Sequence, residues 1–287
     1  MRPALRLLAH ACLLVALLAA CGERSTPSGE PSPTPPTSPT APTAPAAGLV
    51  LQGDPESAAG ATWTYRATVD GVVYDLKGVL FKPRGAGPFP AVVVSHGYGG
   101  SAATYSRGIA VEMVRWGLVA IATDYTHAAV PSGAPGTSAD PGASTANVQR
   151  AHRTYELLRS LGYVDMRRVA AHGHSMGAFV TAALLAAYPA DFRAASHTAG
   201  GVRVATFDGA APTEAQAATI RTPYQLHHGD RDAVVLLAAD QRLASVLTAS
   251  GTTHELQVYP GADHDDVARS AAMLERVRAW YGRWGMF

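Results

Sequence analysis

The run GHSMG at residues 173–177 places one serine between two glycines. Ser175 follows a short apolar run and precedes an alanine-rich one, a pattern typical of a strand, a tight turn and a helix. At such a turn the hydroxyl projects into the open. The residues two positions before and after must then be very small, as Gly173 and Gly177 are. The pattern alone indicates either an exposed nucleophile or a turn whose glycines only relieve crowding.

Carboxylates and an imidazole follow Ser175 along the chain. The run GDRD supplies Asp230 and Asp232, and the run GADH supplies His264. A hydroxyl, an imidazole and a carboxylate are the three groups that activate a serine for acyl transfer. Among the histidines, His264 alone lies in a loop after the last predicted strand, so we expect it to be the base.

The elements that must position these groups form an alternating series. Two strands joined at Asp70-Gly71 predict an N-terminal antiparallel hairpin. The series after it predicts one mostly parallel central sheet with helices on both faces, an α/β domain. The predicted strands are 91–95, 118–124, 168–174, 192–200, 222–230 and 254–261, and the helices are 105–116, 147–161, 176–188, 238–249 and 266–282.

Ligands of such sheets bind beyond the carboxyl ends of the strands, where Ser175, the two aspartates and His264 would meet. The helix that begins at Met176 directs its free N–H groups and positive dipole end toward a carbonyl at Ser175. Met176 N–H is therefore a predicted oxyanion donor. The run HGYGG after strand 91–95 supplies the second predicted donor, Tyr98 N–H. Losing one such donor costs about 2.7–4 kcal/mol of transition-state stabilisation.

The glycine- and proline-rich segment 126–145 follows a strand at the same edge. We expect it to be a loop beside an open cleft, with Tyr98, Tyr125 and His174 near the substrate. The alternative is a solvated connection without substrate contact. The other histidines near the site are expected to pack in the core or lie on the surface; these are His172, His227, His228 and His254.

Several other classes of site are excluded by pattern and composition. Adjacent histidines on a strand point to opposite faces, so HHGDRD is not expected to bind a metal. GYGG lacks the glycine spacing of a dinucleotide site or a P-loop, so no cofactor is expected. A formal net charge of +1 gives no reason to expect nucleic acid. The only cysteines, Cys12 and Cys21, exclude a disulfide or thiolate in the folded part. Oligomeric state is left open.

The N-terminus predicts export. Residues 1–21 have a basic start and an apolar stretch, and they end in LAAC, which resembles a bacterial lipobox with Cys21 as the acylated residue. The alternatives are an ordinary cleaved signal or an uncleaved anchor. Residues 22–48 are rich in proline, serine and threonine and predict a disordered tether. Residues 49–287 would form the catalytic domain, attached to the membrane through Cys21.

Four segments, GHSMG, SHGYGG, HGDRDAVV and PGADHDD, resemble the α/β-hydrolase fold over about residues 60–282. The resemblance is to dienelactone-hydrolase-like and polyester-hydrolase (cutinase-like) esterases. It implies that the acid is Asp232, three residues after the glycine that ends its strand, and that Tyr98 supplies an oxyanion N–H. Two features depart from the pattern. Dienelactone hydrolases proper have cysteine where this chain has Ser175, and the C-terminal disulfide common in secreted polyester hydrolases is impossible here.

These observations together predict an exported serine hydrolase that cleaves carboxylic esters and needs no cofactor. A serine peptidase of the prolyl-oligopeptidase type is an alternative, although the chain has no propeller-sized N-terminal region. A non-catalytic cell-surface binding protein on the same fold is a second alternative, which the complete set of three groups disfavours.

Overall fold

A computed structural model of the chain describes residues 46–128, 141–204 and 209–287. The predicted signal segment with Cys21, and the tether up to residue 45, lie outside the described residues. Residues 129–140 of the predicted loop also lie outside them. The statements below concern the described part of the chain.

Nine strands are described: β1 (Val50–Gln52), β2 (Ala61–Val69), β3 (Val72–Phe81), β4 (Phe89–Ser95), β5 (Val119–Thr123), β6 (Val164–His174), β7 (Ala194–Thr198), β8 (Tyr224–Gly229) and β9 (His254–Tyr259). They form one sheet in the order β1-β2-β3-β5-β4-β6-β7-β8-β9. Three pairs are antiparallel, namely β1 with β2, β2 with β3 and β3 with β5. All the remaining pairs are parallel. The predicted α/β sheet, mostly parallel with an antiparallel N-terminal part, is confirmed.

The hairpin of β2 and β3 turns at the predicted dipeptide. Asp70 and Gly71 have φ values of 50° and 80°, as a two-residue turn between right-twisted strands requires. Side chains of β2 alternate between the core and solvent, with Trp63 and Ala67 buried. The preceding strand β1 was not predicted from the sequence, since it has only three residues and all of them are exposed.

The helices cover both faces of the sheet. They are α1 (Arg107–Arg115), α2 (Thr145–Ser160), α3 (Met176–Ala187), α4 (Glu214–Ala217), α5 (Leu237–Ala249), α6 (His264–Arg269) and α7 (Ala271–Arg283), with a π-helix at Ala102–Ser106 before α1. Helices α2, α3 and α5 pack their apolar residues into one core, and α1 and α7 into a second. Within the described ranges, no helix has both the length and the apolar character needed to cross a membrane.

Two helices differ from their predicted form. The predicted helix 105–116 starts earlier, as the π-helix that precedes α1. The predicted last helix, 266–282, is two helices, because Ser270 has an extended backbone with φ −69° and ψ 126°. The Ser270 hydroxyl accepts the N–H of Met273 at 3.4 Å and starts α7. The spacing of apolar residues in the sequence does not reveal this break between α6 and α7.

The parallel register brings the carboxyl ends of the central strands to one edge. Ser95 of β4 lies opposite Gly173 of β6, and His174 of β6 lies opposite Thr198 of β7. The chain leaves these strands at the same level of the sheet. Residues that directly follow β4, β6 and β8 are therefore neighbours in space.

We expect Gly78→Ala in β3 to lower the free energy of unfolding by about 2–3 kcal/mol. A Cβ on Gly78 would lie 1.8 Å from the carbonyl oxygen of Ala122 and 2.9 Å from the Trp63 ring. The matched control is Gly108→Ala in α1, where a Cβ meets nothing within 4 Å. This change should stabilise the protein by about 0.5–1 kcal/mol, since glycine is a poor helix former. Urea denaturation measures both, and equal midpoints for the two variants would contradict the expectation.

Candidate active site

Ser175 lies on the turn between β6 and α3 in a strained backbone conformation. Its φ and ψ are 56° and −123°, a region that non-glycine residues rarely occupy. The Ser175 N–H donates to the carbonyl of Thr198 at the end of β7, at 3.0 Å. This turn therefore has the nucleophile-elbow geometry that the GHSMG pattern predicts.

The two glycines beside Ser175 let the turn pack against its neighbours. A Cβ on Gly173 would lie 2.2 Å from the carbonyl oxygen of Gly177. A Cβ on Gly177 would lie 2.2 Å from the carbonyl oxygen of Ser95 in β4. Real Cβ atoms do not approach backbone oxygens this closely, so a larger side chain at either position would displace the elbow.

The structure brings Ser175, His264 and Asp232 into one line of hydrogen bonds. His264 Nε2 lies 2.9 Å from Ser175 Oγ, and His264 Nδ1 lies 2.7 Å from Asp232 Oδ2. The distances allow His264 to accept the serine proton at Nε2 while its Nδ1–H donates to the carboxylate. Ser175 and Asp232 lie on the turns that follow β6 and β8, and His264 begins the helix that follows β9.

His264 is held by the first turn of α6. The carboxylate of Asp263 accepts the N–H groups of Asp265 and Asp266 at 3.0 and 2.9 Å. This cap fixes the start of the helix, and His264 is its first residue. Asp230, the other carboxylate of GDRD, accepts the N–H of Gly261 at 2.7 Å and holds the loop that leads to His264. The two aspartates thus have different positions, and only Asp232 contacts the imidazole.

Asp232 is fixed by its second oxygen as well. Its Oδ1 accepts the N–H groups of Val234 and Val235, each at 2.8 Å. Burial opposes ionisation, but the contacts with His228 and His264 outweigh it and lower the pKa of Asp232. The group is therefore a carboxylate at neutral pH, the form that can orient His264.

The two predicted oxyanion donors are the residue after Ser175, Met176, and the residue after Gly97, Tyr98. Within the described residues, neither Met176 N–H nor Tyr98 N–H donates to another group. Gly97, the neighbour of Tyr98, lies so close that a Cβ there would be 3.1 Å from Ser175 Cβ. The loop after β4 therefore crosses directly beside the serine, with N–H groups available for an acyl oxygen.

Two histidines that sequence reasoning did not single out hold this loop. His96 Nε2 accepts the N–H of Tyr125 at 3.2 Å, so its Nδ1–H donates to the carbonyl of Gly97 at 2.8 Å. His127 Nε2–H donates to the carbonyl of His96 at 3.2 Å, and the His127 carbonyl accepts the N–H of Gly99 at 3.0 Å. Burial lowers the pKa of both rings, that of His127 to about 4. The only sequence signal was the position of His96 beside Gly97.

The three expected substrate contacts have different surroundings. Tyr98 has a side chain that is 52% exposed. His174 is buried, with Nδ1 2.9 Å from Thr198 Oγ1 and its ring centroid 4.8 Å from that of His264. It supports the imidazole from the side. Tyr125 does not match the expectation, because it is 3% exposed and its hydroxyl pairs with Ser95 Oγ at 2.7 Å. Its ring packs in the hydrophobic core, because burying the ring stabilises the fold more than exposing it at the cleft would.

The described ends of segment 126–145 are joined by Asn147. Its side-chain oxygen accepts the N–H of Thr126 at 2.9 Å, and its amide donates to the carbonyl of Gly142 at 3.0 Å. Residues 129–140 lie outside the described residues, so the contact of this loop with substrate stays a prediction.

The remaining histidines do not reach Ser175. His172 pairs with Ser196, His227 with Tyr259 and Gln225, and His254 with the carbonyl of Thr252. His228 contacts Asp240 and lies near Asp232. Within the described ranges, no cluster of three or more histidine, cysteine or acidic side chains could hold a metal ion.

Comparison with known families decides the relationship. The profile of the dienelactone hydrolase family matches residues 76–282, more than two thirds of the chain. The chain belongs to the dienelactone hydrolase family. A search of curated proteins found no match. The predicted relationship is therefore confirmed at the level of the family and of its α/β-hydrolase fold.

Solved structures of other members of this fold are similar in shape and distant in sequence. A cold-adapted esterase from an Arctic intertidal metagenomic library has a TM-score of 0.62 and 20% identity, covering 77% of this chain and 94% of its own. Thermogutta terrifontis esterase 2 has a TM-score of 0.59 and 20% identity, covering 78% and 94%. Porphyromonas gingivalis dipeptidyl peptidase 4 has a TM-score of 0.62 and 12% identity, covering 78% of this chain and 35% of its own. This dienelactone hydrolase family member spans about a third of the length of that peptidase. At these identities the similarity shows the fold alone.

We expect the free energy of unfolding to fall as the pH drops from 6.5 to 5.0. Burial lowers the pKa values of His127, His172 and His174 to about 4, 3 and 3. Below pH 6.5 the unfolded chain binds protons at these rings and the folded chain does not. Each ring then lowers the free energy of unfolding by up to about 1.4 kcal/mol for each unit that the pH falls. Urea denaturation at the two pH values measures this, and an unchanged or higher midpoint at pH 5.0 would show that the rings are charged in the folded protein.

Proposed function

We propose that this protein is a serine hydrolase that cleaves carboxylic esters. The observation that carries the proposal is the hydrogen-bonded line from Ser175 through His264 to Asp232, with distances of 2.9 and 2.7 Å. Met176 follows Ser175 directly and Tyr98 follows Gly97, and within the described part of the chain their N–H groups donate to no other group. Membership of a hydrolase family supports the same reaction class. A binding protein would have no need of this alignment.

The first half of the reaction acylates the serine. Ser175 Oγ attacks the acyl carbon while its proton moves to His264 Nε2, and the carbonyl electrons become an oxyanion that accepts the N–H groups of Met176 and Tyr98. Asp232 stabilises the imidazolium and holds its tautomer. The carbon–oxygen bond to the leaving alcohol then breaks, and His264 returns the proton to that oxygen.

The second half regenerates the enzyme. Water takes the place of the alcohol and gives its proton to His264 as its oxygen attacks the acyl carbon. The bond to Ser175 Oγ breaks, and the serine oxygen recovers the proton from His264. The products are one carboxylic acid and one alcohol, and no cofactor takes part.

Three exposed apolar side chains, which we call the apolar rim, lie on the segments that carry Asp232 and the loop beside Ser175, and they favour an ester with apolar groups. Tyr98, Val234 and Leu236 are 52%, 50% and 46% exposed. Tyr98 belongs to the loop beside Ser175, and Val234 donates its N–H to Asp232. An apolar acyl or aromatic group could pack on these side chains outside the cleft, so we include polyesters in the proposed substrate range.

A serine peptidase is the second candidate, because the similar structures include a dipeptidyl peptidase as well as esterases. An amine leaves only when it is protonated at the nitrogen, which demands more of the general acid than an alcohol does. No described feature supplies a binding site for a peptide N-terminus or backbone.

We propose in addition that the protein is exported and attached to a membrane through a lipid on Cys21. The support is the sequence of residues 1–21, which has the order of a lipoprotein signal and ends in LAAC. The tether at 22–48 would then hold the hydrolase away from the lipid surface.

Replacement of Ser175 by alanine should lower kcat for p-nitrophenyl acetate by about 10⁴-fold or more, because the variant has no nucleophile. A fluorophosphonate probe should label the native protein at Ser175, and mass spectrometry of the peptide locates the adduct. Ser245→Ala is the matched control, since Ser245 lies on α5 with its hydroxyl bonded to the carbonyl of Gln241. Native activity or labelling in Ser175→Ala would disprove the assignment.

Esters and amides with the same acyl group should separate the two candidate functions. We expect kcat/KM for the p-nitrophenyl ester to exceed that for the p-nitroanilide by about 10²-fold or more. Incubation with an aromatic polyester film, followed by measurement of the released acid, tests whether the enzyme cleaves polymers. Faster turnover of peptide amides than of esters would favour the peptidase.

Leu236→Ser should reduce kcat/KM for p-nitrophenyl octanoate about five- to tenfold and leave that for the acetate unchanged, because only the longer chain reaches the apolar rim. Val72→Ser on the β2–β3 hairpin, an equally exposed apolar residue, is the control. Equal losses with the two esters would show that the rim does not contact the acyl chain.

A further inference from the structure

The line of polar contacts does not end at Asp232. His228, on β8, places its Nε2 3.4 Å from Asp232 Oδ2 and its Nδ1 2.7 Å from Asp240 Oδ2 on α5. The side chains of all three residues are completely buried. A second imidazole therefore lies between the acid beside His264 and a second carboxylate that no step of the reaction uses.

The hydrogen-bond partners decide where the protons are on His228. Its Nε2 lies 2.8 Å from the carbonyl oxygen of Val235. A carbonyl oxygen only accepts, so Nε2 carries a hydrogen. Its Nδ1 carries one too if Asp240 is ionised, since a carboxylate also only accepts.

The other contacts of Asp240 indicate that it is ionised. His197 Nε2 lies 2.8 Å from Asp240 Oδ1, and His197 Nδ1 lies 2.5 Å from the hydroxyl of Tyr224. Burial and the charge of Asp240 raise the pKa of Tyr224, so the hydroxyl keeps its proton and can donate it to His197 Nδ1. His197 Nε2–H then donates to Asp240. The contacts with His197 and His228 outweigh the burial of Asp240 and lower its pKa, so this group is a carboxylate.

We propose that His228 is a buried imidazolium which pairs with Asp240, shares Asp232 with His264, and through Asp232 sets the pH range over which His264 acts as the base. The proposal rests on the proposed function, because it concerns the base of that reaction. His228 touches no substrate atom and is a positioning residue that acts through Asp232.

The electrostatics of the site agree with this assignment. Burial disfavours a charge on His228, but its contact with Asp232 and its hydrogen bond to Asp240 outweigh the burial and raise the pKa of His228 to about 10. The titratable groups that face it are Asp232 from its loop, Asp240 from α5 and, beyond Asp240, His197 from β7. The nearest groups are acidic, so a cation is stabilised there.

The consequence concerns the pH range in which the base is neutral. Asp232 shares its negative charge between His264 and His228, so it stabilises the imidazolium of His264 less than an isolated carboxylate would. The charge on His228 therefore acts on the same carboxylate that steadies His264 once it has taken the proton of Ser175.

D240N tests the charge while keeping the hydrogen bonds. The amide oxygen of the new side chain can accept from His197, and its NH₂ group can donate to His228 Nδ1, which must then be neutral. We expect the acid limb of the kcat/KM profile to move to higher pH by about half a unit to one unit. The value at pH 5.5 should fall about three- to tenfold, with the value at pH 9 within about twofold of native.

D191N is the matched control. His152 Nε2 lies 3.0 Å from Asp191 Oδ2, so this pair also joins an imidazole to a carboxylate, with Asp191 29% exposed. No contact joins it to Asp232 or His264 among the described residues. We expect an unchanged pH profile for D191N. A general effect of removing a carboxylate from a histidine partner would move both profiles.

Nitrogen NMR of the native protein with ¹⁵N-labelled histidine reads the charge directly. At pH 8 we expect both ring nitrogens of His228 to carry protons in the native protein and only one in D240N, with the signals assigned by their loss in H228Q. A neutral His228 in the native protein at pH 8 would overturn the proposal, whether or not D240N folds. An unmoved acid limb in a D240N protein that still labels at Ser175 would overturn it as well. Failure of the native protein to react with fluorophosphonate would instead reject the proposed function, and the NMR result would stand by itself.

Discussion

The backbone of Ser175 is the constraint on which the site depends. Its φ of 56° persists because the surroundings leave the turn no alternative: the N–H of Ser175 is bonded to β7, and Gly177 packs against the Ser95 carbonyl of β4. A strained residue of this kind costs about 1–3 kcal/mol, which the neighbouring strands offset. The pairing of β6 with β4 and β7 therefore determines where the serine hydroxyl can be.

A second feature is the number of buried histidines around this edge. His96 and His127 hold the loop beside the serine, His174 packs on His264, and His228 lies next to Asp232. Imidazole can donate and accept in one plane, so it can link backbone groups and carboxylates in places that water does not reach. Such a network holds the reactive groups in fixed positions, and it makes the folded protein sensitive to acid.

The order of elements and the identity of the reactive groups could be predicted from the sequence. The β2–β3 hairpin, the parallel strands and the turn at Ser175 each depend on local patterns of glycine and apolar residues, and all of these are found. Membership of the dienelactone hydrolase family could also be predicted, since its motifs are short and continuous. The split at Ser270 was not predicted, because the spacing of apolar residues continues across it. Strand β1 was not predicted, because it has only three residues and all are exposed.

The sequence by itself determined that Ser175, Asp232 and His264 follow three strands in this order, because chemistry and spacing are local properties. Only the tertiary structure decided which neighbours serve them. Tyr125 turned into the core, His96 and His127 became supports of the loop, and Asp240 met His228. These relations join residues far apart in the sequence, and such contacts are set by packing that no local pattern encodes.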